Sequence, residues 1–175
     1  MLVLKTEETV EDIDTCLAPA SNKGLVQIYT GEGKGKSSAS LGAALRAAGH
    51  EMRVIFIRFV DGDASAQHTI STDHFPFEIA QLNEQSGHQR GDQHQIAAQT
   101  LSFAEDIINS GNYDMVILDE IFVAVSKRLI TASQVLDLMS NKPDTVELVL
   151  TGPDAPEAVV QKADLVTRMV AVKHP

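Results

Sequence analysis

Residues 30–38 read Thr-Gly-Glu-Gly-Lys-Gly-Lys-Ser-Ser and stand between an apolar run and a segment of helical period. Glycines allow successive backbone N–H groups to turn toward one centre, and amides grouped in this way bind anions. A strand, a glycine-rich loop and a helix in this order are the setting of a nucleotide phosphate site. The stretch therefore predicts an α/β domain that binds phosphate where its first helix begins. We refer to residues 31–35 as the glycine-rich loop.

The spacing G-x-x-x-x-G-K-[ST] of such loops is matched with one substitution, because Thr30 stands at the first glycine position. We expect Lys36 to neutralise the outer phosphates and the Ser37 hydroxyl to bind Mg²⁺. Ser37 and Ser38 are also expected to cap the helix. A flexible turn without a ligand is the alternative interpretation. The predicted nucleotide-binding residues are Thr30, Gly31, Gly33, Lys34, Gly35, Lys36, Ser37 and Ser38.

Apolar runs of strand length alternate with helix-period segments along the rest of the chain. The runs lie at 25–29, 52–59, 75–80, 113–118, 146–150 and 165–172. Strands that alternate with helices predict a mostly parallel sheet of about six strands, with helices on both faces. With the glycine-rich loop, this pattern indicates a P-loop NTPase-like, RecA-like α/β fold. Apolar helix faces are expected at Leu41, Ala44, Leu45 and Ala48, and at Ile96, Thr100, Phe103 and Ile107.

Length and composition limit the class of protein. A chain of 175 residues with 43% hydrophobic content supports one domain, expected at 23–175 after an acidic segment at 1–22 that we expect to be mobile. No run reaches the roughly 18 apolar residues of a membrane span, and no secretory signal is visible, which predicts a cytoplasmic protein. The net charge of −10 argues against nucleic acid as a partner. The single cysteine, Cys16, excludes an internal disulfide.

An acidic pair, Asp119 and Glu120, follows the apolar run that ends at Leu118. In nucleotide-binding α/β domains, a carboxylate at the end of another buried strand reaches the Mg²⁺ held by the loop. Asp119 is expected to orient the Mg²⁺ shell, whereas Glu120 either binds the metal or polarises an attacking water. The predicted metal site is therefore Ser37, Asp119 and Glu120, and the predicted catalytic residues are Lys36 and Glu120. No other metal is expected, because His68, His74 and His94 lack the spacing of a transition-metal site.

The chain resembles the ATP:corrinoid adenosyltransferases of the P-loop type from about residue 24 to its end. The resemblance implies that ATP and Mg²⁺ bind at the glycine-rich loop and that a corrinoid is the second substrate. Its reduced cobalt would attack the 5′ carbon of ATP, and triphosphate would leave. A homodimer is also implied. The similar stretches are 29–38, 41–50 with its closing Arg-Ala-Ala-Gly-His, 118–120, 149–152, 163–167 and 173–175.

The chain departs from this family mainly in the part expected to meet the corrinoid. Residues 58–62 read Arg-Phe-Val-Asp-Gly where the family usually has Gln-Phe-x-Lys-Gly, and residues 87–90 read Gly-His-Gln-Arg where it has Gly-Phe-Thr-Trp. Two alternatives therefore stay open. One is a small P-loop ATPase or kinase with Arg58 or Arg90 as an arginine finger. The other is an ATP-binding regulator or corrinoid carrier without catalysis, in which the long polar loops at 61–73 and 83–92 respond to the nucleotide.

Overall fold

A computed structural model describes residues 23–59, 74–81 and 93–173 of the chain. Six strands form one sheet in the order β3-β2-β4-β5-β1-β6, and every neighbouring pair is parallel. The prediction of a parallel α/β fold is confirmed. In chain order the elements are β1 Val26–Thr30, α1 Lys36–Gly49, β2 Val54–Arg58, β3 Glu78–Gln81, α2 Gln93–Asn109, β4 Met115–Asp119, α3 Ile121–Ser126, α4 Ala132–Asn141, β5 Glu147–Thr151, α5 Glu157–Lys162 and β6 Leu165–Arg168.

All six predicted strands are present, and the last one is shorter than predicted. The apolar run to residue 172 predicted a longer strand, but β6 ends at Arg168. The N–H of Met169 still donates to Thr30 O at the end of β1, at 2.7 Å, but its carbonyl accepts from Gly33 N of the glycine-rich loop at 2.9 Å. The strand therefore stops where it meets the loop.

Both faces of the sheet are covered, which explains why its central strands are continuous apolar runs. In β4, Val116 and Leu118 face the core that includes α2, α3, α4 and α5, whereas Met115 and Ile117 face the core that includes α1. The predicted face of α1 is wrong for Leu45, which is 52% exposed. The small residues Ser40, Ala44 and Ala47 are buried instead. In α2 the buried face is also displaced from the predicted one, onto Ala97, Thr100, Leu101, Ala104 and Ile108.

All six strands run in the same direction, so their carboxyl ends meet at one edge of the sheet. Residues that follow different strands are thereby brought together, and this edge is where open α/β sheets bind ligands. The predicted domain boundary at residue 23 stays a prediction, and the segment 1–22 lies outside the described residues. Among the helices that the structure describes, none has the length and apolar character needed to cross a membrane.

Candidate functional site

The glycine-rich loop joins the end of β1 to the start of α1. Gly35 precedes the helix with a left-handed φ of 106°, and no side chain caps the helix start. The prediction that Ser37 and Ser38 cap the helix is therefore wrong, since both lie inside its first turn. Lys36 Nζ donates to the carbonyl oxygens of Gly31 and Gly33, each at 2.8 Å. The ammonium group is thus held over the loop.

Fewer amides of the glycine-rich loop are free to bind an anion than the glycine pattern predicted. The N–H of Gly31 donates to Pro153 O at 2.7 Å and that of Gly33 to Met169 O at 2.9 Å, so these two amides are already used. The amides of residues 34–38 have no hydrogen-bond acceptor among the described residues. The first N–H groups of a 14-residue helix are therefore available to an anion, where the helix dipole also favours negative charge.

Met169 explains why two glycines of the loop cannot carry side chains. A Cβ added at Gly31 would lie 2.3 Å from Met169 O, and one added at Gly33 would lie 2.8 Å from Met169 C. The loop and the end of β6 therefore touch backbone to backbone. Sequence reasoning missed Met169, because a methionine within an apolar run carries no signal for such a contact.

Thr30 has a structural reason to replace the expected glycine. Its side chain is 3% exposed. The hydroxyl donates to Pro153 O at 2.7 Å and accepts from Ala155 N at 3.1 Å, which ties the end of β1 to the segment after β5. A glycine would leave both backbone groups without this partner. Thr30 thus shapes the loop rather than pointing a side chain toward a ligand.

The acidic pair lies at the same edge of the sheet, and one hydroxyl fixes both residues. Asp119 ends β4 and is 4% exposed. Thr151, at the end of β5, donates its hydroxyl to Asp119 Oδ1 at 2.8 Å and accepts from Glu120 N at 2.9 Å. Glu120 has a left-handed φ of 61°, a conformation that a non-glycine residue keeps only when its surroundings hold it. Thr151 therefore supports the backbone that aims Glu120.

We predict that Thr151→Val lowers the free energy of unfolding by about 2–3 kcal/mol, because the buried Asp119 carboxylate and the Glu120 N–H each lose a partner. Thr151→Ser is the matched control: it keeps the hydroxyl and is expected to cost about 1 kcal/mol for the lost methyl group. Urea unfolding of both variants measures the difference. Equal losses in the two variants would mean that the hydroxyl does not support this site.

The electrostatics of the site come from burial and from nearby cations. Burial raises the pKa of Asp119, and hydrogen bonds from Thr151 and Ser37 and the charges of Arg58 and Lys36 partly offset this rise. Burial and the neighbouring Asp119 also raise the pKa of Glu120, while Lys36 and Ser37 lower it. Four sequence-predicted residues are thus brought together: Lys36, Ser37, Asp119 and Glu120.

These side chains offer a hydroxyl and two carboxylates, which are oxygen ligands of the kind that Mg²⁺ prefers. Within residues 23–59, 74–81 and 93–173, no group of three or more His, Cys, Asp or Glu side chains is gathered. The protein donors therefore fit a Mg²⁺ ion that also takes phosphate oxygens and waters as ligands. These three protein donors do not by themselves complete the coordination of a metal ion.

Other predicted residues do not join this cluster. The side chains of Lys34 and Ser38 are exposed, as are those of His74 and His94. His68, His88 and Arg90 lie outside the described residues, with the loops at 61–73 and 83–92. A cavity of about 360 Å³ adjoins the glycine-rich loop between the ends of β1, β5 and β6. It is lined by Thr30, Gly31, Glu32, Pro153, Asp154, Ala155, Arg168, Met169, Val170 and Ala171.

Comparisons with known proteins agree on one family. Residues 22–175 match the family model described as ATP:corrinoid adenosyltransferase BtuR/CobO/CobP. A corrinoid adenosyltransferase from Sinorhizobium sp is 32% identical, over 87% of this chain and 75% of the relative. One from Pseudomonas aeruginosa is 30% identical, over 93% and 83%. One from Escherichia coli (strain K12) is 25% identical, over 97% and 89%.

Among solved structures, the KaiC-like protein PH0186 from Pyrococcus horikoshii OT3 is similar with a TM-score of 0.56. The alignment covers 87% of this chain and 75% of that one, at 12% sequence identity. At this identity the likeness concerns the fold alone. It agrees with the RecA-like architecture predicted from the alternation of strands and helices.

Proposed function

Because the chain belongs to the ATP:corrinoid adenosyltransferase family, we propose that it moves the 5′-deoxyadenosyl group of ATP to the reduced cobalt of a corrinoid. The observation that carries the proposal is the convergence of Lys36, Ser37 and the acidic pair on the free amides of residues 34–38. Such a group binds a polyphosphate with its metal. The family match favours the transferase over an ATPase, a kinase or a carrier without catalysis.

In this reaction the cobalt supplies the electron pair that forms the new bond to the 5′ carbon. The bond between that carbon and the phosphate oxygen breaks, and triphosphate leaves with the electron pair. The corrinoid is thus the nucleophile, and the protein contributes position and electrostatic stabilisation. Amides and cations that face the departing triphosphate act where negative charge develops.

We assign the predicted residues to two tasks on the basis of their contacts. The amides of Lys34, Gly35, Lys36, Ser37 and Ser38 and the Lys36 ammonium group bind the phosphates, and Lys36 is the catalytic cation. The other three, Thr30, Gly31 and Gly33, bind Pro153 and Met169 and hold the loop in shape.

We propose Ser37, Asp119 and Glu120 as the protein ligands of Mg²⁺, with Glu120 catalytic through the metal. When bound, Mg²⁺ neutralises charge on the leaving triphosphate. Glu120 serves here as a metal ligand rather than as a group that activates water, because the nucleophile is cobalt. A buried and a half-buried carboxylate with raised pKa values are a suitable receptor for a divalent cation, which relieves their mutual repulsion.

The acidic pair predicts how stability changes with pH. Burial raises the pKa of Asp119, so the folded chain binds a proton there at a pH where the unfolded chain has lost it. Stability is therefore greatest at low pH with respect to this group, and it falls as pH rises from about 4 through the raised pKa. We predict that Asp119→Asn removes the contribution of this group to the fall and is more stable than the wild type at pH 8 without metal.

Asp119→Asn is also expected to lose Mg²⁺-dependent ATP binding, so it separates function from stability. Urea unfolding at pH 5 and pH 8 and calorimetry with Mg-ATP measure the two effects. Asp119→Asn also removes the charge that raises the pKa of Glu120, so the measured difference includes a Glu120 contribution in the same direction. A variant that is less stable than the wild type at pH 8 would contradict the interpretation of Asp119 as a destabilising, functional carboxylate.

We also propose that the protein works in the cytoplasm, where ATP is supplied, and as a homodimer. The dimer is supported by β6, an edge strand that pairs on one side with β1 and exposes Leu165 and Val166 at 45% and 37%. Exposed apolar edge strands are sites of association. Sedimentation equilibrium tests the dimer, and a monomer at micromolar concentration would contradict it.

An anaerobic assay tests the function directly. The protein is mixed with Mg-ATP and a chemically reduced corrinoid, absorbance reports the alkylated cobalt, and phosphorus NMR identifies the phosphate product. We expect adenosyl-corrinoid and triphosphate in equal amounts. Production of ADP and phosphate would instead support an ATPase. ATP that stays intact beside an unalkylated corrinoid would indicate a binding protein.

A further inference from the structure

Arg58 is a cation beside the metal-binding carboxylates that the roles above do not use. It ends β2, and its register partner on the neighbouring strand is Asp119. The N–H of Phe59 donates to Asp119 O at 3.0 Å, which keeps the ends of the two strands together. Arg58 therefore lies at the ligand-binding edge of the sheet, one strand beyond the acidic pair.

The Arg58 side chain contains a buried donor that no residue in the described part of the chain satisfies. Its Nε atom is out of contact with solvent and has no hydrogen-bond partner. Buried donors without an acceptor are rare in folded proteins, and they are a known feature of ligand-binding sites. The ion pair found among the described residues joins Arg53 and Asp114, so Arg58 forms no ion pair with Asp119 there. Arg58 is thus held near Asp119 without closing on it.

The position of Arg58 separates it from the phosphate site. In the sheet, β4 and β5 lie between β2 and β1, so the ends of β2 and β1 are three strand spacings apart, roughly 14 Å. Lys36 and Ser37 act on the acidic pair from the side of the glycine-rich loop. Arg58 ends β2, which neighbours β4 on the side away from β5 and β1. An anion at Arg58 therefore belongs to the second substrate rather than to the phosphates on the loop amides.

We propose that Arg58 binds an ionised carboxylate on the periphery of the acceptor corrinoid, which makes the protein selective for a corrinoid that retains free carboxylates. This inference rests on the proposed function, since it assigns the second substrate of the same site. Corrin side chains end either in a carboxylate or in an amide. The guanidinium fork matches a carboxylate with two parallel N–H···O bonds, and an amide cannot accept both.

The test is equilibrium binding of two corrinoids in their cobalt(II) forms under nitrogen, in the presence of Mg-ATP. Cobyrinic acid a,c-diamide carries free carboxylates, and cobinamide has amides in their place. The wild type, Arg58→Gln and Arg58→Lys are compared. Arg46→Gln is the matched control, because Arg46 is an exposed arginine in the last turn of α1. Thermal unfolding shows that each variant is folded.

We expect the wild type and Arg46→Gln to bind the diamide at least 10-fold more tightly than cobinamide, as a charge-assisted hydrogen bond allows. Arg58→Gln should reduce this ratio to within twofold and should not weaken the binding of Mg-ATP. Arg58→Lys should keep part of the ratio, because it keeps the charge but not the fork. A wild type that does not discriminate, or a ratio that survives in Arg58→Gln, overturns the inference. So does weaker Mg-ATP binding in Arg58→Gln, which would assign the anion to the nucleotide.

Binding and transfer are measured separately, so the two proposals fail in different ways. If the charge preference is present and depends on Arg58 but no adenosyl-corrinoid forms, the inference stands and the transferase function is wrong. If both corrinoids are adenosylated and bind equally, the function stands and the inference is wrong. If neither corrinoid binds, both are wrong.

Discussion

Replacing Lys36 by alanine is expected to lower the rate of adenosyl transfer about 10²–10³-fold, the usual effect of removing one donor that faces developing charge. Among the residues that the structure describes, Lys36 is the lysine whose charge acts on both members of the acidic pair, and its ammonium group also donates to two carbonyls of the glycine-rich loop. The substitution removes the positive charge that faces the triphosphate, and it removes the two hydrogen bonds that the ammonium group donates to the loop. The initial rate of adenosyl-corrinoid formation and calorimetric titration with Mg-ATP measure the effect.

Lys34→Ala is the matched control for this change. Lys34 lies two residues earlier in the same loop, but its side chain is exposed and has no described bond to the loop carbonyls. Solvent screens an exposed charge, so we expect less than a fivefold loss of rate. Thermal unfolding of both variants shows whether the loop change affects the whole domain. Equal losses of rate in the two variants would contradict the central role assigned to Lys36.

The sequence predicted the fold and the phosphate half of the site because both rest on local patterns. Apolar runs of strand length report strands buried on both faces, and the loop spacing reports a helix start with free amides. Asp119 could be paired with Lys36 before the structure, because the carboxyl ends of parallel strands share one edge. These inferences need only the order of elements and the direction of strands.

Residues that act through contacts between distant segments could not be predicted in the same way. Thr151 is 32 positions from Asp119 along the chain, and the residue type does not reveal that its hydroxyl bonds both the last residue of β4 and the residue that follows it. Met169 contacts the loop through its backbone, which is independent of residue type. The error at Leu45 has a related cause: periodicity locates an apolar stripe, but the small residues beside it pack closer to the sheet.

The residues that resemble the family and those that depart from it lie at different places along the ligand-binding edge of the sheet. The stretches that resemble the family include the glycine-rich loop and the acidic pair, whereas the resemblance described above does not extend to Arg58 on β2. A cation with an unsatisfied buried donor costs stability unless a ligand completes it. Because Arg58 lies one strand beyond Asp119, we assign this altered residue to the second substrate. The residues that act on the triphosphate are then unaffected by the change.

Replacing Gly31 by alanine is expected to lower the free energy of unfolding by about 2–5 kcal/mol, through backbone strain and a backbone clash together. Gly31 has a φ of 99°, which an L-residue with a side chain rarely adopts. The added Cβ would lie 2.3 Å from Met169 O and 3.0 Å from Met169 N. Truncating the Met169 side chain cannot relieve this clash, since the opposing atoms belong to the backbone. The double variant with Met169→Ala should therefore be no more stable than Gly31→Ala alone.

Gly42→Ala is the contrasting change within the helix that follows. A Cβ at Gly42 meets nothing within 4 Å, and the residue lies inside α1, so the substitution should stabilise the protein by about 0.5–1 kcal/mol. Urea unfolding of Gly31→Ala, Gly42→Ala and the wild type measures the expected loss and the expected gain of stability in one experiment. Gly31→Ala should also lose Mg-ATP binding below its unfolding midpoint, because a shifted loop misaligns the amides of residues 34–38. Wild-type stability and affinity in Gly31→Ala would contradict the close backbone contact with Met169 that ends β6 and fixes the loop.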